Sequence, residues 1–191
     1  MTAPAPVGEV LAVHAWPKDN LTPQPIDDLV LDIGGAVGDR HYGVTMHSDV
    51  RQRWLYAEGT EIRNNRQVSI VDAGELAEIA GKLDIDALAP GTIADNICTT
   101  GVSNLTALPL MTRLVFSDPE DPASDGAVVV LGGENLPCTI AGALVGDRYG
   151  TAPEKFPKAS IHLRGVTGWV ERPGLVRAGL AVRVVAPQPA A

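Results

Sequence analysis

Short apolar segments separated by glycine, proline and other turn-forming residues recur along the whole chain, and this spacing constrains the fold more than any other feature. Gly8 to Trp16 carries mostly apolar residues at both alternating sets of positions, which predicts a strand buried on two faces. Asp28 to Ile33 alternates Leu29, Leu31 and Ile33 with Asp28, Val30 and Asp32, which predicts a half-buried strand. Six more strands are predicted at 67–71, 96–99, 112–117, 127–131, 166–171 and 180–185. About eight such strands favour a mainly β fold, a closed or partly closed barrel.

A few helices are expected around these strands. Asp72 followed by Glu75 resembles a capping box, and the apolar residues that follow share one helical face at Leu76, Ile79, Ala80 and Leu83. A second helix is predicted to begin near Asn135, with apolar residues at Leu136, Ile140 and Leu144. The polar stretch 46–65 lacks periodicity and is predicted to be a long surface loop.

The length of 191 residues, with 45% hydrophobic residues, predicts one domain spanning 1–191 with a core at about 8–185. The proline-rich ends, 2–7 and 186–191, are expected to fray. The first residues lack the pattern of a signal peptide, and no apolar run is long enough for a membrane span. A cytoplasmic protein is therefore expected.

The acidic balance bears on the partners of the chain. With 15 Lys and Arg against 23 Asp and Glu, the formal net charge is −8. The overall field therefore repels polyanions and predicts no general affinity for nucleic acid or acidic membranes. An anionic small molecule would have to be held by a local cationic pocket.

Two cysteines, Cys98 and Cys138, are the candidate reactive groups. If a helix begins near Asn135, the Cys138 thiol lies in its first turn, where unpaired N–H groups and the helix dipole favour the thiolate. A thiolate of this kind can attack sulfur, hold a persulfide or bind a soft metal. The alternative for Cys138 is a buried inert residue, and for Cys98 the inert interpretation is preferred.

A glycine-bounded basic turn runs from Gly38 to Gly43 and contains Arg40 and His41. Its N–H groups and guanidinium are suited to binding a phosphate, although an ordinary tight turn with solvated charges explains the same pattern. Other basic residues could line an anion site or simply form a solvated surface. They are Arg51, Arg53, Arg63, Arg66, Lys155, Lys158, His162 and Arg164. No nucleophile elbow, dinucleotide-binding turn or Walker loop is present in the sequence.

Four separated motifs occur in the order that is typical of stand-alone bacterial MOSC proteins, the family related to the C-terminal domain of molybdenum-cofactor sulfurases. They are Gly38 to Gly43, Asn65 to Val71, Gly133 to Cys138, and Arg164 to Val170. The chain resembles this family from about residue 8 to residue 185. The resemblance implies a mainly β barrel with peripheral helices.

The resemblance also implies a site. Cys138 stands where the family has the cysteine that carries sulfur as a persulfide or ligates molybdenum. The residues expected around the molybdenum cofactor are Arg40, His41, Arg66, Asn96, Asn135 and Arg164. The family often has glutamate where this chain has Asp95, which shortens the reach of that carboxylate. The chain lacks the pyridoxal-phosphate cysteine-desulfurase domain of fused sulfurases, so a separate sulfur donor such as a cysteine desulfurase is expected as a partner.

Three alternatives to a cofactor-binding or sulfur-carrying domain remain open. One is a molybdenum-dependent oxidoreductase that reduces N-hydroxylated compounds, as some members of the family do. Another is a sulfur-transfer or carbon–sulfur step in a specialised pathway. The third is a binding or regulatory barrel with an inert Cys138.

Overall fold

A computed structural model of the chain describes residues 5, 7–121 and 126–187. The segments expected to fray, 2–7 and 186–191, fall mostly outside these residues. The strands of the described part are β1 Gly8–Ala15, β2 Gln24–Ile26, β3 Asp28–Asp32, β4 Gly35–Ala36, β5 Thr45–His47, β6 Glu61–Arg63, β7 Val68–Asp72, β8 Ile97–Thr100, β9 Arg113–Ser117, β10 Ala127–Glu134, β11 Val166–Arg172, β12 Gly174–Arg177 and β13 Ala181–Val185. The helices are α1 Ala73–Leu83, α2 Thr139–Tyr149 and α3 Lys155–Ala159.

Seven strands form a closed barrel in the order β13, β9, β10, β11, β7, β8, β1, and β1 pairs with β13 to complete the circle. The prediction of a mainly β barrel with a few helices is thus confirmed. β7 and β8 are parallel, with Ile70 opposite Ile97, while the other barrel pairs are antiparallel. A parallel pair needs a crossover, and α1 lies in the connection between these two strands.

All eight predicted strands are present, with ends that differ by up to three residues. The strands that the sequence did not predict, β2, β4, β5, β6 and β12, contain two to four residues each. So short a segment cannot establish a period of two. The stretch 46–65, predicted to be a long loop, contains regular structure. β5 and β6 pair with each other, and a 3₁₀ turn, Val50–Gln52, lies between them.

Two apolar clusters stabilise the fold. One fills the barrel, with fully buried residues such as Leu29, Ile70 and Phe116. The other lies between the barrel and the helices and includes Ile79 and Phe156. The predicted apolar face of α1 is confirmed, since it is buried in this second cluster at Leu76, Ile79, Ala80 and Leu83.

Helix α1 begins where the sequence predicts. The Asp72 carboxylate accepts a hydrogen bond from the Gly74 N–H, as expected of an N-cap residue, and also from Thr99 and from the Val102 N–H. The Glu75 carboxylate accepts two hydrogen bonds from Thr106. Both carboxylates of the predicted cap therefore also join α1 to the segment that follows β8.

The predicted start of α2 near Asn135 is wrong, because β10 continues further than expected. Glu134 is still paired with Val166, and the Asn135 N–H donates to the carbonyl of Gly165. The helix begins only at Thr139, and Cys138 is its N-cap, with φ −144° and ψ 160°. Its buried face consists of Ala141, Gly142 and Val145 rather than the predicted Leu136, Ile140 and Leu144.

In the part of the chain that the structure describes, no helix has both the length and the apolar character needed to cross a bilayer.

Candidate functional site

A cavity of about 490 Å³ opens where β10 ends and α2 begins, and we call it the Cys138 cavity. It brings together all the residues that the resemblance implied, although they are far apart in the sequence. They are Arg40, His41, Arg66, Asn96, Asn135, Cys138 and Arg164. Other basic residues singled out from the sequence, Arg53, Arg63, Lys155, Lys158 and His162, are not among the residues that line it.

Cys138 is a free and partly buried cysteine on the wall of this cavity. Burial raises its pKa, but the N–H of Ala141, the charge of Arg164, the N–H of Ile140 and the charge of Arg51 together lower the pKa below the usual value for a thiol. Among the described residues, the Cys138 sulfur accepts no capping hydrogen bond from the N–H groups at the start of α2. These N–H groups therefore act on the thiolate as nearby dipoles. The position therefore favours the reactive, ionised form.

Arg164 is the cation with the strongest effect on Cys138. Arg164 is only 6% exposed, and its guanidinium donates to the carbonyls of Leu136 and Ile93. Its Nε atom is buried and has no hydrogen-bond partner among the residues that the structure describes. Burial lowers the pKa of Arg164, while the neighbouring Cys138 thiolate raises it, so each charge stabilises the other. A buried guanidinium with an unused donor is a suitable anchor for an anion.

Two further guanidinium groups add positive charge to the cavity wall. Arg51 forms an ion pair of 2.6 Å with Asp49, and Arg66 lies 4.0 Å from the same carboxylate. Burial and the charge of Arg51 lower the pKa of Arg66, which indicates that these two cations lie close together. The single carboxylate of Asp49 leaves an excess of positive charge beside Cys138. Arg51 is one of the basic residues that the sequence offered for an anion site, although the family resemblance did not include it.

The basic turn has a structural role that the sequence did not predict. The guanidinium of Arg40 stacks 3.6 Å above the ring of Trp16 and donates to the carbonyls of Trp16, Pro17 and Asn20. Much of its hydrogen-bonding capacity therefore holds the loop after β1. The ring of His41 is about half exposed, and its Nδ1 lies 3.0 Å from the carboxylate of Asp39.

Asp39 holds this wall of the cavity together, a role that the sequence did not predict. It is 5% exposed and accepts hydrogen bonds from the N–H groups of Trp16 and His41 and from the side-chain amide of Asn96. Burial raises the pKa of Asp39, but the hydrogen bonds from His41 and Trp16 outweigh that effect and lower it. Asn96 also accepts from the N–H and hydroxyl of Ser69. Asp39 and Asn96 thus join the basic turn to the barrel.

Cys98 differs from Cys138 in every respect that affects reactivity. It is fully buried in β8, and burial together with Asp95 and Asp72 raises its pKa strongly. The inert interpretation of Cys98 is consistent with this environment. Among the described residues, no group of three or more His, Cys, Asp or Glu side chains could hold a metal ion.

The environment of Cys138 predicts a distinctive pH profile of alkylation. In the folded protein, iodoacetamide is expected to modify Cys138 and leave Cys98 unmodified, at a rate that levels off at a lower pH than for an ordinary thiol. Arg164→Met removes a charge that favours the thiolate, so its profile should move to higher pH and its rate at neutral pH should fall several-fold. Mass spectrometry of the two cysteine peptides measures both effects.

Arg113→Gln is the matched control, because the Arg113 guanidinium pairs with Glu171 at 2.7 Å and does not line the Cys138 cavity. Its alkylation profile should equal that of the wild-type protein. An Arg164→Met profile that also coincides with the wild type would contradict the electrostatic role assigned to Arg164.

Known proteins resemble this chain in sequence and in structure. The family model described as "MOSC domain" matches residues 38–183. YuaD of Bacillus subtilis strain 168, whose name gives it a provisional role in metal-sulfur cluster biosynthesis, is 34% identical over 162 residues, which cover 83% of this chain and 80% of YuaD. The crystal structure of the Bacillus subtilis YuaD protein superposes with a TM-score of 0.85 and 30% identity, over 95% of this chain and 97% of that one.

More distant structures share the fold. YiiM from Geobacillus stearothermophilus superposes with a TM-score of 0.56 at 10% identity, over 94% of this chain and 73% of that one. Because the family model covers most of the chain and YuaD matches it over more than two thirds of both sequences, the chain belongs to the MOSC domain family.

Proposed function

We propose that the protein binds an anionic cofactor or substrate in the Cys138 cavity and that the Cys138 thiolate either carries sulfur as a persulfide or ligates molybdenum. The observation that carries this proposal is the position of a partly exposed thiol with a lowered pKa between Arg51, Arg66 and Arg164. The protein as a whole has a net charge of −8, so this local excess of cations is the opposite of its average surface.

Persulfide loading needs only a nucleophilic thiolate and a donor persulfide. The Cys138 sulfur attacks the outer sulfur of the donor, a new S–S bond forms at Cys138, and the donor's S–S bond breaks to release the donor thiolate. The sulfane sulfur is transferred without net oxidation or reduction. Arg164 stabilises the attacking thiolate and the persulfide anion that replaces it, because both are negatively charged. A cysteine desulfurase is a suitable donor, since it presents its sulfur as a protein persulfide.

The residues present also fit a molybdenum cofactor. Cys138 offers one soft sulfur ligand, and the described residues contain no cluster that could complete a metal site, so the remaining ligands would come from the bound cofactor itself. The unpartnered Nε of Arg164 and the guanidinium of Arg66 would hold the anionic phosphate of that cofactor. When bound, the cofactor supplies a redox-active molybdenum.

The relationship to YuaD supports a role in sulfur or metal chemistry. The name of YuaD connects that protein to metal-sulfur cluster biosynthesis. A thiolate that accepts, holds and releases sulfane sulfur is one of the components that such a process requires.

The test is an analysis of protein purified from a host that makes the molybdenum cofactor. Molybdenum is measured by elemental mass spectrometry and sulfane sulfur by cyanolysis, before and after incubation with glutathione persulfide. Metal-free protein that gains sulfane sulfur supports the carrier, and stoichiometric molybdenum supports cofactor binding. Molybdenum together with turnover of an N-hydroxylated base would favour the reductase. Protein that contains no molybdenum after purification and gains no sulfane sulfur from glutathione persulfide would refute the proposal.

A further inference from the structure

A second cavity of about 510 Å³ is lined by residues that are close in sequence to some of those that line the Cys138 cavity, and we call it the His14 cavity. Gly91 and Thr92 line the His14 cavity, whereas Ala94 and Asn96 line the Cys138 cavity. The carbonyl of Ile93, between these two pairs, accepts a hydrogen bond from Arg164. One short segment, 91–96, therefore contributes residues to both cavities.

His14 is a buried polar group on the wall of this second cavity. It lies on β1 and is 7% exposed, and its Nδ1 is buried 4.0 Å from a carboxylate oxygen of Asp95. In the described part of the chain this Nδ1 has no hydrogen-bond partner. Both oxygens of Asp95 accept from the N–H of Gly91 at 2.9 Å. The nearby carboxylate favours the tautomer with the proton on Nδ1, which leaves Nε2 as an acceptor for a ligand.

The segment around Gly91 fixes the orientation of the His14 ring. Gly91 has φ +80°, and a Cβ atom there would lie 2.7 Å from the His14 Nε2. Only glycine permits both this backbone conformation and this close approach. Burial and the charge of Arg148 lower the pKa of His14, with Asp95 acting in the opposite direction, so the imidazole is neutral at physiological pH.

Arg148, near the end of α2, supplies a positive charge to the His14 cavity. One of its nitrogens donates to the Thr92 hydroxyl at 3.3 Å, and its guanidinium lies 5.6 Å from the ring centre of Tyr149. Within 7–121 and 126–187, Arg148 forms no ion pair with a carboxylate, although Asp147 lines the same cavity. The apolar wall consists of Pro23, Pro25, Pro90 and Leu144.

We propose that the His14 cavity is a second ligand site that takes a small carboxylate with an apolar body and a hydroxyl or amino group. The Arg148 guanidinium binds the carboxylate, Nε2 of His14 accepts a hydrogen bond from the hydroxyl or amino group, and the prolines and Leu144 contact the apolar body. This site does not depend on the chemistry of Cys138.

Three probes that share a 3-hydroxyphenyl body test the site: the anionic 3-hydroxybenzoate, the neutral 3-hydroxybenzamide and the cationic 3-hydroxybenzylamine. Binding is followed through the NMR signal of the His14 ring. We expect the carboxylate to shift this signal saturably in the millimolar range, with the neutral amide about tenfold weaker. Preference for the amine would mean that Asp147 rather than Arg148 selects the ligand, and it would overturn the proposal.

Arg148→Gln tests the proposed anchor, and because its side chain is at the surface the variant should fold. It should bind 3-hydroxybenzoate about tenfold more weakly than the wild type. Arg177→Gln is the matched control on β12, outside the cavity, and its binding should be unchanged. No saturable His14 shift in the wild type, or equal binding by Arg148→Gln, would refute the assignment.

Discussion

Cys138→Ser is expected to lose all sulfane sulfur that the wild-type protein accepts from glutathione persulfide. A serine hydroxyl does not ionise at neutral pH and cannot form a persulfide, so the carrier atom itself is removed. The amount of cyanolysable sulfur per chain should fall from stoichiometric to background. If wild-type protein instead binds molybdenum through this thiolate, the metal content should fall in the same variant.

Cys98→Ala is the matched control for this experiment. Cys98 is fully buried and its pKa is raised, so its removal should leave sulfur loading unchanged. Replacing a buried thiol with alanine costs about 1 kcal/mol of unfolding free energy, which thermal unfolding of both variants would reveal. Sulfur that persists in Cys138→Ser, or that disappears in Cys98→Ala, would contradict the assignment of the carrier role to Cys138.

The sequence predicted the barrel because its longer strands are long enough to show a repeat. β3 follows the expected alternation, and Asp72 ends β7 and caps α1 where the predicted cap lies. β1 is buried on both faces only from Val13 to Ala15, because Leu11 is exposed. The start of α2 could not be predicted in the same way. It depends on hydrogen bonds of Glu134 and Asn135 to the next strand, and pairing between strands is not encoded in local periodicity.

The resemblance to the MOSC family implied the residues that line the Cys138 cavity, but it did not indicate how they are held. The sequence suggested that Arg40 and His41 are available to bind a phosphate. In the structure Arg40 donates hydrogen bonds to three carbonyls, and His41 contacts the carboxylate of Asp39. Asp39 went unnoticed because its partners Trp16 and Asn96 lie 23 and 57 positions away in the chain. Contacts at such separations become visible only after the barrel has closed.

These contacts make Asp39 the residue whose loss should destabilise the protein most among those at the site. Asp39→Ala would leave the buried N–H of Trp16, the buried amide of Asn96 and the partly buried N–H of His41 without this acceptor. Each unsatisfied buried donor costs about 1–3 kcal/mol, so the unfolding free energy should fall by about 3–5 kcal/mol in urea denaturation. Anion binding in the Cys138 cavity should weaken as well, because the basic turn loses its attachment.

The pH dependence of this difference follows from the lowered pKa of Asp39. A carboxylate whose pKa is lower in the folded state stabilises the fold above its unfolded pKa of about 4, and that stabilisation disappears as the pH falls through the folded pKa. The difference in unfolding free energy between the wild type and Asp39→Ala should therefore be largest at neutral pH and decrease in acid. Asp49→Ala is the matched control, since Asp49 is partly exposed, and it should cost about 1 kcal/mol. A loss in Asp39→Ala no larger than in Asp49→Ala would show that the basic turn is held by other contacts.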